Sequence, residues 1–233
     1  MSNIILTTYF TSKLDPQHNI RQPRNNFEKI KIWYNSLHKI GLRGVIFYDE
    51  MNTEFIEKYS TTNLTFERYT LVTPRSVNDE RFYCYYNWIQ NHKEIENICM
   101  VDLFDVEFFN NPFLIMNSEK YDIYCGGDPG VYHTNWLTSR MERAYKHAFY
   151  SDKVELHAGT LCGSRNQILK LLVKMIEEFE NLSRRHNYEN LNMPVYNKTV
   201  RDTFEEVRIM YGYPFNSRFR KMERGTHFAI RHK

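Results

Sequence analysis

Apolar runs of strand length alternate with segments of helical period through the first half of this 233-residue chain, and two of the runs end on an acid. Ile4-Ile5-Leu6-Thr7-Thr8-Tyr9-Phe10 is β-branched and aromatic, which suits a buried strand. The next segment, 26–39, sets Phe27, Ile30, Trp33, Tyr34 and Leu37 on one helical face. Gly44 to Asp49 is a second strand ending in an acid, and after a short helical stretch a third is expected at Thr65 to Val72. A helix then opens at Asn78, an expected N-cap followed by Asp79 and Glu80, and runs to about Asn91. Asn97 to Asp102 is the next strand, again ending in an acid. This order predicts an α/β fold, a mostly parallel central sheet flanked by helices, with ligands at the carboxyl ends of its strands.

The second half departs from strict alternation. Tyr121 to Cys125 reads as a short strand entering Gly126-Gly127-Asp128-Pro129-Gly130, a turn-rich stretch. Helical period covers Asn135 to His147, and Ala158 to Gly163 follows as a further apolar segment. Ser164 and Gln167 form a capping box before a helix whose stripe from Ile168 to Leu182 is core. With 42% hydrophobic and 25% charged residues the chain is not disordered, and its length suits one domain over 1–233. The balance of 31 Lys+Arg against 28 Asp+Glu argues against a nucleic-acid surface. No apolar run approaches the roughly 20 residues of a membrane span, and no secretory signal opens the chain, so the expectation is cytoplasmic. Cys84, Cys99, Cys125 and Cys162 are widely spaced and read as reduced, packed thiols. The 17 Tyr and 16 Phe are mostly core, with Tyr9, Tyr132 and Trp136 beside the expected cleft.

The segment with the most chemistry is Val101-Asp102-Leu103-Phe104-Asp105-Val106-Glu107-Phe108-Phe109-Asn110-Asn111-Pro112-Phe113. Two carboxylates three residues apart follow an apolar strand, among apolar neighbours that make them costly unless a cation compensates them. A hard divalent ion with oxygen ligands is the natural compensator, and it leaves room for phosphate oxygens.

The segment resembles the metal-binding D-x-D-type motif of GT-A glycosyltransferases, in a D-x-x-D variant. The likeness extends in order along the chain. Thr7-Thr8-Tyr9-Phe10-Thr11-Ser12 resembles the nucleotide-receiving first strand, and Asp15-Pro16-Gln17 and Trp33-Tyr34-Asn35-Ser36-Leu37 match related members. Asn78 to Phe82 resembles the helix start before the metal motif, and His157 to Gly163 a segment lining the donor-sugar and acceptor pocket. Phe228 to Lys233 resembles a late strand ending in a metal-ligating His.

The resemblance implies a GT-A type single domain, with a nucleotide-binding half (1–110) and a donor-sugar and acceptor half (111–233). It implies a metal-dependent transferase moving a sugar from a nucleoside diphosphate, UDP first, to a glycan or protein acceptor. Mn²⁺ or Mg²⁺ would be held by Asp102, Asp105 and His232, with His227 the runner-up. Thr7, Thr8, Tyr9, Asn78, Arg81 and Asp102 would meet the nucleotide, Arg81 either on the phosphates or paired with Asp79 or Glu80 at the surface. Gly126, Gly127, His157, Ala158, Gly159 and Asn192 would line the donor and acceptor sites. Related enzymes often carry an acid where this chain has Asn192, which leaves Asp128, Asp152 and Glu155 as candidate bases, or a retaining route in which the leaving phosphate takes the proton. Two other functions stand beside this one: a nucleotide-sugar or glycan-binding module without catalysis, and a metal-dependent phosphohydrolase or nucleotidyltransferase.

Overall fold

Residues alternate between two cores along the central strands of the computed structural model, which describes every residue except 1, 18, 73, 187–188, 222, 224–226 and 233. In β1 (Asn3–Tyr9), Ile4 and Leu6 face one core and Ile5 and Tyr9 the other; in β2 (Gly44–Tyr48), Val45 and Phe47 oppose Ile46 in the same way. A sheet buried on both faces needs near-continuous apolar strands, which is how these runs read.

β1 and β2 pair in parallel, flanked by β3 (Leu64–Arg68) beside β2 and β4 (Asn97–Val101) beside β1. β7 (Val154–Ser164) runs antiparallel to β4, β6 (Ile123–Tyr132) antiparallel to β7, and β8 (Ile209–Met210) parallel to β6. The seven strands lie in the order β3-β2-β1-β4-β7-β6-β8. A second, two-stranded sheet pairs β5 (Val106–Phe108) antiparallel with β9 (Ile230–His232). Residues of α3 (Val77–Asn91), α6 (Arg165–His186) and α7 (Asn192–Thr203) fill one core. Ile30, Trp33 and Leu37 of α1 (Phe27–Ile40), Phe55 of α2 (Thr53–Tyr59) and Phe113 of α4 (Pro112–Ser118) fill the other. The fold is therefore α/β with a mostly parallel central sheet between helices, compatible with a Rossmann-like arrangement. Among the described residues no helix is long and apolar enough to cross a membrane.

Four local expectations are corrected. The stretch 126–130 is strand, not turn: Gly126 and Gly127 continue β6, and a Cβ on either would press on Thr160 and His157 or on Tyr211 and Leu156. Glycine here marks close approach of neighbouring strands. Ser76, not Asn78, caps α3, its hydroxyl accepting the Asp79 N–H at 3.1 Å. The third strand stops at Arg68, short of Val72. Cys99 and Cys162 are not free thiols. The antiparallel register sets them opposite each other at a Cα separation of 4.0 Å, and they form a disulfide. A sequence separation of 63 residues hides such a cross-strand pair. Cys84 and Cys125 are buried and unpaired, as expected. The cysteines thus give no argument for a reducing compartment.

One acid ties two helices together. Asp79, only 5% exposed in α3, accepts the Leu191 N–H on both carboxylate oxygens at 3.2 Å, just ahead of α7. α7 has no side-chain cap of its own, so Asp79 caps it from another helix. Burial pushes the Asp79 carboxyl up from 3.8 to about 7, against the pull of the Leu191 amide, Ser76 and Arg81. Between these values the folded chain binds the proton and the unfolded chain does not, so this group makes stability fall as pH rises from about 4 to about 7. Urea midpoints at pH 5 and pH 8 check it: Asp79→Asn narrows the difference between the two relative to the parent protein.

Candidate metal centre

β4 ends at Val101, and Asp102 follows at the carboxyl edge of the sheet, where strand order reverses between β1 and β4. In doubly wound sheets this is where ligands sit. The chain then bends through Leu103 and Phe104 to Asp105 and enters β5. Leu103 and Val106 are both buried, which anchors the bend and turns the two acids toward one another's side. Pairing of β5 with β9 sets His232 opposite Val106, one residue from Asp105. Ligand atoms of Asp102, Asp105 and His232 all lie within 4.8 Å of one another. The His232 Nε2 is 3.4 Å from Asp105 and 3.8 Å from Asp102, with the imidazole buried and both acids half-buried.

Two neighbours shape this group. Gly159 of β7 accepts the Asp102 N–H at 2.9 Å, and a Cβ at Gly159 would overlap both the Asp102 carboxylate and the His232 ring. Arg81 reaches in from α3, pairs with Asp102 and donates to the Ala158 carbonyl at 3.2 Å. The surface pairing of Arg81 with Asp79 or Glu80 is thereby corrected, because Arg81 is buried.

The group fits a divalent cation. Asp105 Oδ1 is buried and makes no hydrogen bond among the described residues, and the donors are two carboxylates and an imidazole whose Nε2 faces both. Without a cation Asp102 is served by Arg81 and Asp105 by His232. Burial alone would lower the His232 pKa, but the hydrogen bond and charge of Asp105, with Asp102 beyond, hold it above 6.5.

A second histidine stands close by. His157 lies two residues before Gly159 on the same face of β7. Burial, His232 and Arg220 lower its pKa from 6.5 to about 3, so it is a neutral imidazole. Its ring centroid is 4.4 Å from that of Phe219, which is 4.8 Å from that of His232. The Phe219 N–H in turn donates to Asp128 at 3.0 Å.

Other expected site residues fall elsewhere. Tyr9 is fully buried, its hydroxyl donating to Pro23 at 2.6 Å, so it has no free face for a base. Thr7 is buried too, and Thr8 is half-buried against Tyr85. Asn78 is half-buried in the first turn of α3, and Asn192 is buried at the start of α7 with its side chain on the Met193 N–H. Gly126 and Gly127 are built into β6 beside Asp128. His227 is exposed and outside the cluster; Gly225 and Thr226 before it lie outside the described residues. Asp152 is exposed near His133, and Glu155 accepts the Thr134 N–H at 2.8 Å where α5 (Asn135–Tyr145) begins. Of the three candidate bases, Asp128 stands by the cluster: it lies within electrostatic reach of His232, and burial raises its pKa.

Two contributors escaped the sequence reading. Phe219 carries no signal in a single sequence. Asp49 gave a partial one as an acid ending a strand: it accepts the N–H groups of Thr11, Ser12 and Glu50 at 2.8 Å each, ordering the loop beyond β1. A scan against protein-family models finds no match, and neither does a search of curated proteins.

Gly159→Ala is expected to weaken Mn²⁺ binding by at least about tenfold, since the methyl group displaces two ligands, and calorimetric titration checks it. Because an ion must displace the His232 proton, Mn²⁺ affinity should rise with pH through a transition above 6.5, with proton release visible in buffers of different ionisation enthalpy. His232→Gln should remove that transition.

Proposed function

We propose that the chain is a metal-dependent glycosyltransferase of GT-A type, moving a sugar from a nucleoside diphosphate, UDP first, to a glycan or protein acceptor. The Asp102, Asp105 and His232 group at the carboxyl edge of β4 carries this reading. The strand order, with β1 to β4 parallel and β7 inserted antiparallel, supports it by leaving the cluster at the carboxyl edge of the sheet, beside the switch point between β1 and β4.

Asp102, Asp105 and His232 would hold Mn²⁺ or Mg²⁺, the imidazole favouring Mn²⁺. When bound, the ion supplies positive charge against the diphosphate as the sugar departs. Arg81 holds Asp102 in place and offsets part of the cluster's charge. Asp49 orders the loop beyond β1 at residues 11–12, at the carboxyl edge of the sheet where a nucleotide would lie. Neutral His157, whose Nδ1 has no hydrogen-bond partner among the described residues, can bond a sugar hydroxyl. Asp128, with its raised pKa, is suited to take a proton from an acceptor hydroxyl.

Asn192 favours a second reading, a module that binds nucleotide sugar without turnover. Incubation with a panel of UDP- and GDP-sugars and Mn²⁺ separates the two. Release of nucleoside diphosphate from one donor supports transfer, and tight binding without release supports the module. With the active donor, Asp105→Ala should lower the rate on the order of 100-fold or more while the protein stays folded. Full activity in that variant removes the metal from the mechanism.

A further inference from the structure

A cavity of about 380 Å³ is separate from the metal centre, since none of Asp102, Asp105 and His232 lines it. Asp128 connects the two places. Its carboxylate lines the cavity and also accepts the N–H of Phe219, whose ring packs between His157 and His232.

The walls are of two kinds. One is aromatic: Tyr213, 66% exposed, stands with its ring centroid 5.8 Å from that of His227, and buried Phe228 lies beneath. The other is charged. Arg218 donates through Nε to Glu223 at 2.7 Å, and the same carboxylate accepts the Arg218 backbone N–H at 3.0 Å. That pairing uses one of five guanidinium N–H bonds and leaves others for a ligand. Arg218 holds the Glu223 pKa below its ordinary value, so the carboxylate is charged at neutral pH.

Charge and size narrow the ligand. Among the described lining residues two carboxylates stand against one guanidinium, an excess of negative charge that disfavours phosphates and other anions. A volume near the lower end of the ~300–1,000 Å³ range of ligand pockets suits one ring, not a whole nucleotide sugar. An aromatic side chain and paired acceptors and donors lining one cavity match a ring with an apolar C–H face and a hydroxylated rim.

We propose that this cavity is a sugar subsite taking one neutral or amino-bearing pyranose unit. On the transferase reading above, that unit is the terminal residue of the acceptor, placed next to Asp128; sugar binding itself does not depend on that reading.

Saturation-transfer NMR tests it on the whole chain, without donor or metal. The probes are methyl hexosides, methyl N-acetylhexosaminides and methyl aminohexosides, with methyl glucuronide and inorganic phosphate as anionic controls. At least one neutral or amino glycoside should bind. Tyr213→Ala and Glu223→Gln should each weaken it by about tenfold, the loss of one aromatic face or one charge-assisted bond. Both variants should keep the parent Mn²⁺ affinity and melting temperature, which separates the cavity from the metal centre and from misfolding. Binding of anions alone, binding of no glycoside, or binding indifferent to both variants overturns the proposal. Glycoside binding that responds to the variants, in a protein that releases nucleoside diphosphate from no donor, supports the subsite and removes the transferase reading.

Discussion

The pairing of β5 with β9 is the contact on which the centre depends. Three residue pairs bring the chain from position 232 back to position 106, more than a hundred residues away in sequence. The small sheet is fixed from both sides. Phe108 donates its N–H to Ser36 of α1 at 3.1 Å, with its ring against Trp33, and Arg231 pairs with Glu107 across the strands. Ala229 and Ile230 are fully buried. Burying a side chain such as isoleucine is worth about 1.5–3 kcal/mol, so packing fixes the register, and the buried Arg231 finds Glu107 directly opposite in it.

With the register set, electrostatics decides the rest. Two half-buried carboxylates beside Leu103 and Val106 repel each other and lose part of their hydration, a cost that a nearby positive charge offsets. Arg81 compensates Asp102, and the proton on His232 compensates Asp105. Only the second is exchangeable, since a guanidinium does not deprotonate in a protein. The cluster therefore has one permanent counter-charge and one that a cation can replace.

Much of the architecture was legible from periodicity alone. β1, β2, β4, α1 and α6 lie where their apolar patterns place them, because burial on two faces or along one stripe writes itself into consecutive residues. What was hidden concerns partners across the fold. The Cys99–Cys162 bond, the strand character of Gly126 and Gly127 and the burial of Tyr9 are each set by a neighbour distant in sequence. The same limit explains the two histidines: His227 and His232 are five residues apart, and only the β5 register separates the exposed one from the buried one. Asp102 and Asp105 were legible because both sit in one short segment, whereas the cap that Asp79 gives to α7 joins positions 112 residues apart.

Gly159 shows what this scattered assembly means for the folding equilibrium. The centre draws on α3, the end of β4, the middle of β7 and β9, so the unfolded chain holds none of it preassembled. A cation that binds such a site binds the native state alone, and its free energy adds wholly to folding, about 2.7 kcal/mol at a hundredfold excess over the dissociation constant. Gly159 governs how much of that is realised. By omitting one methyl group it leaves room for two ligands to converge, and so a residue with no side chain sets how strongly the ion can hold the fold together.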